Sequence, residues 1–365
     1  MQNFRGHKNS EPVRCAVVGV GGFGATRRKN LRECGVFSLV GGIEINDSTF
    51  ERAAAEEGPD FQRFQTIEEA CRHADAVFIC TPAHLHLEQA WVAARAGKAI
   101  FVEKPLAHKL EEARQLVEYC ERNNLAHGHG LTLRHAPSSR LIKQLLDTGL
   151  CGKVVSAAAT SMHSGGFAHP PDNWRFDADH NPGGPLFQCG IHKIDLLRWL
   201  FGEGEWAAAY SGSDVTGTTT EDSYVLMGRF GAVPCTLHCH YVTAYRHSLE
   251  IYGTKGNLYL TEYPARLLWQ RRSGTHGVEI LEDLSDQLPT DSSESEALCE
   301  FAEAVRERRQ PKTNGRDGLA ALELVIEAAN CAKSSQSNWD AAEPVAVDTL
   351  ASQQPQIKVR RAAIL

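Results

Sequence analysis

The sequence predicts an α/β domain with a doubly wound parallel sheet, followed by an α+β domain with a large, open, mostly antiparallel sheet. Three observations predict this order. An apolar, β-branched run over residues 13–18 leads directly into glycines in G-x-G-x-x-G spacing, a pattern that joins a parallel strand to a helix. Strand-like and helix-like segments then alternate as far as residue 133, as in βαβ units. Short β-rich segments separated by turns follow residue 206, which favours antiparallel pairing.

The glycine-rich turn predicts a dinucleotide-binding domain of the Rossmann type. Its first glycine permits a tight turn, its second lets the backbone approach a pyrophosphate, and its third lets the next helix pack close to the strand. Helix-forming residues follow at positions 25–34, so the N-terminal amides and dipole of that helix can hold phosphate. The expected cofactor contacts in this turn are Gly19, Gly21, Gly22, Phe23 and Gly24.

The second strand, expected over residues 39–47, ends in acidic residues. Asp47 lies 23 residues beyond Gly24, close to where such folds place a carboxylate on the ribose 2′-hydroxyl. A carboxylate there repels a 2′-phosphate, so NAD is expected rather than NADP. Glu44 is the alternative, since the strand end is uncertain by a few residues, and Asp47 could instead cap a helix over residues 50–57.

Two later strands end in residues suited to the same edge of the sheet. Thr81-Pro82 follows the strand at residues 74–80, and Glu103-Lys104-Pro105 follows the strand at residues 99–102. Ligands bind parallel sheets at the carboxyl ends of their strands, so Lys104 is the first candidate for chemistry. We expect His86 to pack beside the cofactor. We assign no site role to His127 and His129, which we expect to be core or edge residues. We also assign none to Arg27 and Arg28, which we expect on a solvated helix face.

The C-terminal half begins with a long loop and a helix that carry further candidates. The loop over residues 164–185 contains Trp174 and Arg175, an aromatic face beside a charged donor that suits a polyhydroxylated ligand; a loop anchored by one buried tryptophan is the alternative. The expected helix at residues 184–200 carries three polar residues that fall within about 60° of arc, and these form either a pocket wall or a buried polar network. They are Gln188, His192 and Asp195.

Hairpin turns then connect the strands of the second sheet, and two helices end the domain. The first helix opens at Ser293, with Glu296 as a capping box, and the second spans residues 318–334. The expected division of the chain is a disordered leader, an N-terminal NAD(P)-binding domain, a C-terminal substrate and oligomerisation domain, and a polar tail. Their bounds are 1–12, 13–134, 135–334 and 335–365.

Charge and hydropathy exclude several classes of partner. The net charge is −7 and there is no basic block, which argues against a nucleic-acid partner. Apolar runs stay well short of the roughly 18 residues that a membrane span needs, and the leader lacks the apolar region of a secretory signal.

The eleven cysteines indicate reduced thiols. Their number is odd and no C-x-x-C occurs, which fits a cytoplasmic protein better than a disulfide framework. Cys235, His238, Cys239 and His240 lie close together in sequence. Because neighbouring residues on a strand point to opposite faces, no metal site is expected there.

With these motifs in place, the chain resembles the Gfo/Idh/MocA family of nicotinamide-dependent oxidoreductases over residues 13–334. The resemblance implies action on sugars, cyclitols and related polyols, and a C-terminal sheet that packs against another subunit in homodimers or homotetramers. It rests on the glycine turn, Thr81-Pro82 with His86, Gly97-Lys98 leading to Glu103-Lys104-Pro105, Arg134 with Pro137, Gly149 to Gly152, and Gly183-Gly184 through His192, Asp195 and Gly202.

The resemblance also implies roles for particular residues. In the family, the lysine of Glu-Lys-Pro and an Asp-x-x-x-His pair surround the reacting carbon. Lys104 and His192 match, but Gln188 replaces the usual Asp and Ala83 replaces the usual Asn of Thr-Pro-Asn. Some relatives are glycosidases that use NAD for a transient oxidation, and one is a non-catalytic regulatory protein, so both remain alternatives to a dehydrogenase.

The expected mechanism divides the work between two side chains. His192 removes the proton of a secondary alcohol as general base, Lys104 stabilises the developing alkoxide, and the nicotinamide takes the hydride. A rival assignment gives the proton to Lys104. The catalytic set is then Lys104, His192 and Gln188. The expected substrate-binding set is Lys104, Arg134, Trp174, Arg175, Gln188, His192 and Asp195.

Overall fold

A computed structural model describes residues 11–170, 172–213, 215–262, 264–272, 280–288 and 292–339. The first sheet has six parallel strands in the order β3-β2-β1-β4-β5-β6. Its strands are β1 (Val13–Val18), β2 (Phe37–Ile43), β3 (Gln62–Arg63), β4 (Ala76–Ile79), β5 (Ala99–Val102) and β6 (His127–His129). The helices between them are α1 (Phe23–Cys34), α2 (Asp47–Glu57), α3 (Ile67–His73), α4 (His86–Arg95) and α5 (Leu110–Arg122).

The central strands of this sheet are buried on both faces, as the apolar runs in their sequences predict. Every residue of β4 and β5 is buried. Because the strands of this sheet all run parallel, the carboxyl ends of β1, β2, β4 and β5 lie at one edge. The predicted doubly wound parallel sheet is confirmed.

The second sheet has eight strands in the order β14-β13-β12-β11-β7-β10-β9-β8, and only the β7–β10 pair is parallel. The strands are β7 (Val154–Met162), β8 (Gly204–Gly212), β9 (Ser223–Phe230), β10 (Val233–His240), β11 (Arg246–Gly253), β12 (Gly256–Glu262), β13 (Ala265–Arg271) and β14 (Ile280–Asp283). Helices α6 (Pro137–Asp147) and α7 (Ile191–Phe201) accompany them. The expected large, mostly antiparallel sheet is confirmed.

The two last helices are α8 (Ser293–Glu307) and α9 (Gly315–Trp339). We expected both to finish the second domain, but α8 packs on the first sheet. Phe301 of α8 is 1% exposed, and its ring centroid lies 5.2 Å from that of Phe101 and 5.6 Å from that of Phe78. The α8 helix therefore closes the core of the N-terminal sheet.

The expected helix over residues 184–200 is confirmed as a helical segment, but its first part is not a regular α-helix. Leu186–Gly190 forms a π turn between the helical residues 184–185 and the α-helix that begins at Ile191. Gly190 packs against β10, where a Cβ atom would lie 3.0 Å from the sulfur of Cys239. The wider π turn changes the angle between Gln188 and His192 from the one that regular α-helical spacing predicts.

The expectation of a solvated face at Arg27 and Arg28 is also wrong. Both side chains are at most 2% exposed. Arg27 pairs with Glu103 and Glu294, and Arg28 pairs with Glu56 and Glu57. A buried guanidinium needs such carboxylates, and helix periodicity alone does not reveal that they come from distant segments.

Several expectations concern the ends of the chain or its membrane association. Residues 1–10 and 340–365, which include most of the predicted leader and tail, lie outside the described residues. Within the described part, α9 continues to Trp339, past the helix end expected at residue 334. The described helices include none with the length and apolar character of a membrane span. The division into domains at residue 134 stays a prediction.

Candidate active site

The turn between β1 and α1 has the shape that a pyrophosphate requires. Gly19 has a φ of +81°, and a Cβ atom at Gly24 would lie 1.8 Å from the backbone oxygen of Gly19. Both positions therefore need glycine. Helix α1 begins at Phe23 without a side-chain cap, so its first amides can receive phosphate oxygens. This cradle fits the phosphates of a dinucleotide.

The acidic residue that faces this turn is Glu44, and not the favoured Asp47. The strand β2 ends at Ile43, so Glu44 is the first residue beyond it, and its Oε2 accepts a hydrogen bond of 3.3 Å from the amide of Gly21. The side chain of Asp47 is 78% exposed and pairs with Arg63 at 2.5 Å. Asn46, rather than Asp47, caps α2.

His86 joins the two other loops at this edge of the sheet. Its Nδ1 lies 2.9 Å from the backbone oxygen of Pro105, and its Nε2 lies 2.8 Å from that of Thr81. The ring is buried, and burial lowers its pKa to about 4. His86 therefore holds the Thr81-Pro82 loop against the Glu103-Lys104-Pro105 loop.

Glu103 has a structural partner inside the protein. Its carboxylate pairs with Arg27, which also pairs with Glu294 at 2.7 Å, and Glu294 accepts a further bond of 3.0 Å from Thr132. This buried network joins α1, the loop after β5 and α8. The carboxylate of Glu103 thus pairs with Arg27 rather than with its neighbour Lys104.

Lys104 extends from the first sheet to the π turn of the second half. Its Nζ donates a hydrogen bond of 2.5 Å to the backbone oxygen of Gln188. The side-chain Nε2 of Gln188 donates in turn to the backbone oxygen of Arg175, at 3.4 Å. The structure thus brings together Lys104, Gln188 and Arg175, which are far apart in sequence, at the carboxyl edge of the first sheet.

His192 lies near Lys104 in the same part of the molecule. Its imidazole is half-buried at the start of α7. Burial, followed by the nearby charge of Lys104, lowers its pKa well below the ordinary value of 6.5. Its Nδ1 is buried and makes no hydrogen bond within the residues that the structure describes. The ring is therefore neutral at neutral pH, as a general base must be.

Asp195 and Arg134 form a separate cluster. Arg134 donates to Asp195 through Nε at 2.7 Å and pairs with Asp317 at 2.9 Å. Asp195 is fully buried, and burial raises its pKa to about 6. We expected both Asp195 and Arg134 to contact substrate, but in the structure their charges neutralise one another.

His163 contacts Cys189, a pair that no motif in the sequence indicates. His163 follows β7, and its Nε2 lies 2.8 Å from the sulfur of Cys189, while its Nδ1 accepts 2.9 Å from the amide of Gly165. Burial raises the pKa of the Cys189 thiol, and the charges of Lys104 and Arg175 oppose that shift. The only sequence signal was that Cys189 adjoins Gln188.

Among the cysteine and histidine expectations, the alternation of faces along β10 is confirmed. All eleven cysteines are free. Cys235 and Cys239 are buried on the helix side of β10, whereas His238 and His240 are half-buried on its other face. The described residues hold no group of three or more side chains arranged to bind a metal ion.

Comparison with known families gives two matches. Residues 13–130 match the oxidoreductase family with an NAD-binding Rossmann fold, and residues 139–259 match the GFO/IDH/MocA C-terminal domain. The first match covers the sheet with the glycine turn and Lys104. The second covers the π turn, His192 and most of the second sheet.

Individual relatives agree with these matches. The 1,5-anhydro-D-fructose reductase of Ensifer adhaerens is 29% identical over 72% of this chain and 79% of its own length. The scyllo-inositol 2-dehydrogenase (NAD(+)) of Bacillus subtilis is 27% identical over 87% of this chain and 93% of its own length. The solved structure of levoglucosan dehydrogenase in complex with NADH has a TM-score of 0.78 at 21% identity and covers 89% of this chain and 98% of its own. The chain therefore belongs to the Gfo/Idh/MocA family of oxidoreductases, with an NAD-binding Rossmann domain.

Proposed function

We propose that this protein is an NAD-dependent dehydrogenase that acts on a secondary alcohol of a sugar, cyclitol or related polyol. The observation that carries the proposal is that Lys104, which follows β5, donates to the backbone oxygen of Gln188 just before the helix that carries His192. The charge of Lys104 also helps to lower the pKa of His192. A cation and a neutral imidazole beside a nucleotide cradle are the groups that oxidation of an alcohol needs. The related anhydrofructose reductase and inositol dehydrogenase support the substrate class.

The proton of the alcohol passes to His192. Its lowered pKa keeps the imidazole unprotonated at neutral pH, so the ring can accept a proton from a hydroxyl placed within hydrogen-bond reach. Gln188 donates to the backbone of Arg175 and, being neutral, gives the imidazolium no charge compensation. That compensation would come from the alkoxide or from another negative group on the substrate.

Lys104 stabilises the alcohol oxygen as it gains negative charge. One of its three N–H groups is directed at the backbone oxygen of Gln188, which fixes the ammonium position. The other two remain available to the substrate oxygen, and a preorganised cation is worth most in a site from which water is excluded. Nicotinamide, when bound, supplies the acceptor for the hydride.

The cofactor is held by the backbone of Gly19, Gly21, Gly22, Phe23 and Gly24, and by the loops that His86 joins, which contain Thr81, Pro82, Glu103 and Pro105. We assign the ribose contact to Glu44, because it already accepts from the amide of Gly21. A carboxylate at that position favours NAD over NADP, although one relative is a D-xylose 1-dehydrogenase [NADP(+)].

We also propose a homodimer or homotetramer formed through the open face of the second sheet. Tyr210, Val225 and Met227 lie on that face and are 42%, 39% and 55% exposed. Exposed apolar residues grouped on one sheet face are typical of an interface. The free cysteines are consistent with a cytoplasmic location.

A substrate screen tests the function. Purified protein is mixed with NAD or NADP and a panel of sugars, cyclitols, sugar acids and aryl glycosides, and both reduced-cofactor absorbance and aglycone release are followed. A dehydrogenase produces reduced cofactor in proportion to product. Aglycone release without net reduced cofactor would indicate a glycosidase, and NAD binding without turnover on any compound would indicate a sensor.

A further inference from the structure

Arg175 differs from Arg27, Arg28, Arg134 and Arg198, whose side chains are at most 11% exposed. These four each pair with at least two carboxylates. Arg175 is half-buried, yet it makes no ion pair with any residue that the structure describes. A guanidinium partly removed from water without a carboxylate is costly, so a carboxylate supplied by a ligand would stabilise it.

The guanidinium of Arg175 is held in position before any ligand arrives. Its Cζ lies 4.6 Å from the ring centroid of Trp174, and its Nη1 donates to the side-chain oxygen of Asn173 at 3.3 Å. The same oxygen accepts from the amide of Arg175 at 3.1 Å. Trp174 in turn contacts the ring of His84 at 6.1 Å, from the loop after β4. Such preorganisation raises affinity by lowering the ordering cost on binding.

Arg175 lies near the candidate catalytic groups. Its backbone oxygen accepts a hydrogen bond from the side chain of Gln188, whose own backbone oxygen accepts one from Lys104. The charges of Arg175 and Lys104 both act on the thiol of Cys189. Two cations therefore lie close to the segment that contains Gln188 and Cys189.

Three carboxylates of neighbouring elements pair with other cations. Glu103 pairs with Arg27, Asp195 pairs with Arg134, and Glu262 pairs with Lys193. In the loop that carries Arg175, Asp177 lies 2.8 Å from His180. Position 188 holds the neutral side chain of Gln188. Arg175 and Lys104 themselves make no ion pair within the part of the chain that the structure describes.

We propose that Arg175 binds a carboxylate of the substrate, so that the substrate is a sugar acid, such as a hexuronate or aldonate, rather than a neutral polyol. A guanidinium matches a carboxylate through two parallel hydrogen bonds. With Lys104 assigned to the reacting oxygen, one guanidinium remains to neutralise one negative charge, which favours a carboxylate over a phosphate dianion. This inference rests on the proposed dehydrogenase function and narrows its substrate class.

The test compares matched neutral and acidic substrates. kcat/KM with NAD is measured for D-glucose against D-glucuronate, D-galactose against D-galacturonate, and the corresponding aldonates and hexose 6-phosphates. We expect at least one acid to exceed its neutral partner by tenfold or more. In Arg175→Gln, kcat/KM for that acid falls by about 10–100-fold, and this loss exceeds the loss for the neutral partner by tenfold or more. Arg175→Lys recovers part of the loss, and Arg122→Gln on the exposed face of α5 serves as the control.

A binding measurement separates this proposal from the proposed function. Calorimetry with NADH-loaded protein should detect the acid and lose that signal in Arg175→Gln, with NADH affinity and melting temperature unchanged. If neutral sugars are oxidised as well as their acids, the carboxylate proposal fails and the dehydrogenase stands. If the acid binds through Arg175 without turnover, the dehydrogenase fails and the acid site stands. Preference for a 6-phosphate, or binding of the acid that Arg175→Gln does not weaken, overturns the proposal.

Discussion

Position 188 determines how the neighbouring imidazole works as a base. A carboxylate close to His192 would stabilise the imidazolium and raise its pKa, but Gln188 is neutral and its amide is directed at the backbone of Arg175. Burial and the charge of Lys104 then act on His192 without an opposing acid. The ring should therefore be a weaker base than one paired with a carboxylate, and it stays neutral at lower pH.

The pH dependence of kcat/KM follows from this lowered pKa. Because the base must be unprotonated, activity falls only as pH drops through the folded-state pKa of His192, which lies well below 6.5. The rate should be constant between about pH 6.5 and 8, and His192→Ala should lower kcat by about 10²–10⁴. Steady-state rates over that range check both. A loss below tenfold in His192→Ala would move the proton to Lys104.

The ribose contact gives a second prediction for single residues. Glu44→Gln removes the charge that faces Gly21, so the Kd for NADH should rise by about tenfold or more, and NADPH should bind better relative to NADH. Asp47→Asn, which alters an exposed ion pair with Arg63, should change the Kd by less than twofold. Fluorescence titration measures these constants. The reverse order of effects would restore Asp47 to the role that sequence spacing favours.

At the level of elements, local patterns predicted most of the first sheet. The strand at Ala99–Val102 appears in the structure where the apolar run of the sequence places it. The same local patterns did not predict the π turn at Leu186–Gly190, because a π turn has the composition of an α-helix. The ion pairs of Arg27 and Arg28 were also hidden, since their partners lie 28 to 267 residues away. The arrangement of the candidate site depends on contacts between such distant segments. The sequence therefore indicated candidate residues such as Lys104 and His192, but not the contacts that position them.

Helix α8 offers a test of which core it stabilises. Phe301 is 1% exposed and packs against Phe37, Phe78 and Phe101 of the first sheet. Phe301→Ala should lower the free energy of unfolding by about 3–5 kcal/mol, as large cavities in aromatic cores do. Chemical denaturation provides the measurement, with Phe167→Ala as control because Phe167 is 63% exposed. Equal effects from both variants would show that α8 contributes little to that core.

For the whole molecule, the two faces of the second sheet have different surroundings. The helix side contains fully buried residues such as Leu226 and Leu237, whereas the opposite face presents Tyr210, Val225 and Met227 to solvent. On that face Val225 and Met227 are 39% and 55% exposed. A second subunit would cover it without disturbing the first sheet, so assembly and the chemistry at Lys104 are separable properties.

Met227→Lys tests the assembly because it places a charge among the exposed apolar residues of the proposed interface. Burying an unpaired ammonium opposes association, so the variant should sediment as a monomer while the wild-type protein sediments as a dimer or tetramer. Sedimentation velocity gives the masses, and circular dichroism checks that the fold is kept. Gln115→Lys, on the exposed face of α5, adds the same charge and should leave the mass unchanged. If Met227→Lys assembles like the wild type, the subunits meet through another surface, because one lysine at this point is incompatible with a closely packed sheet interface.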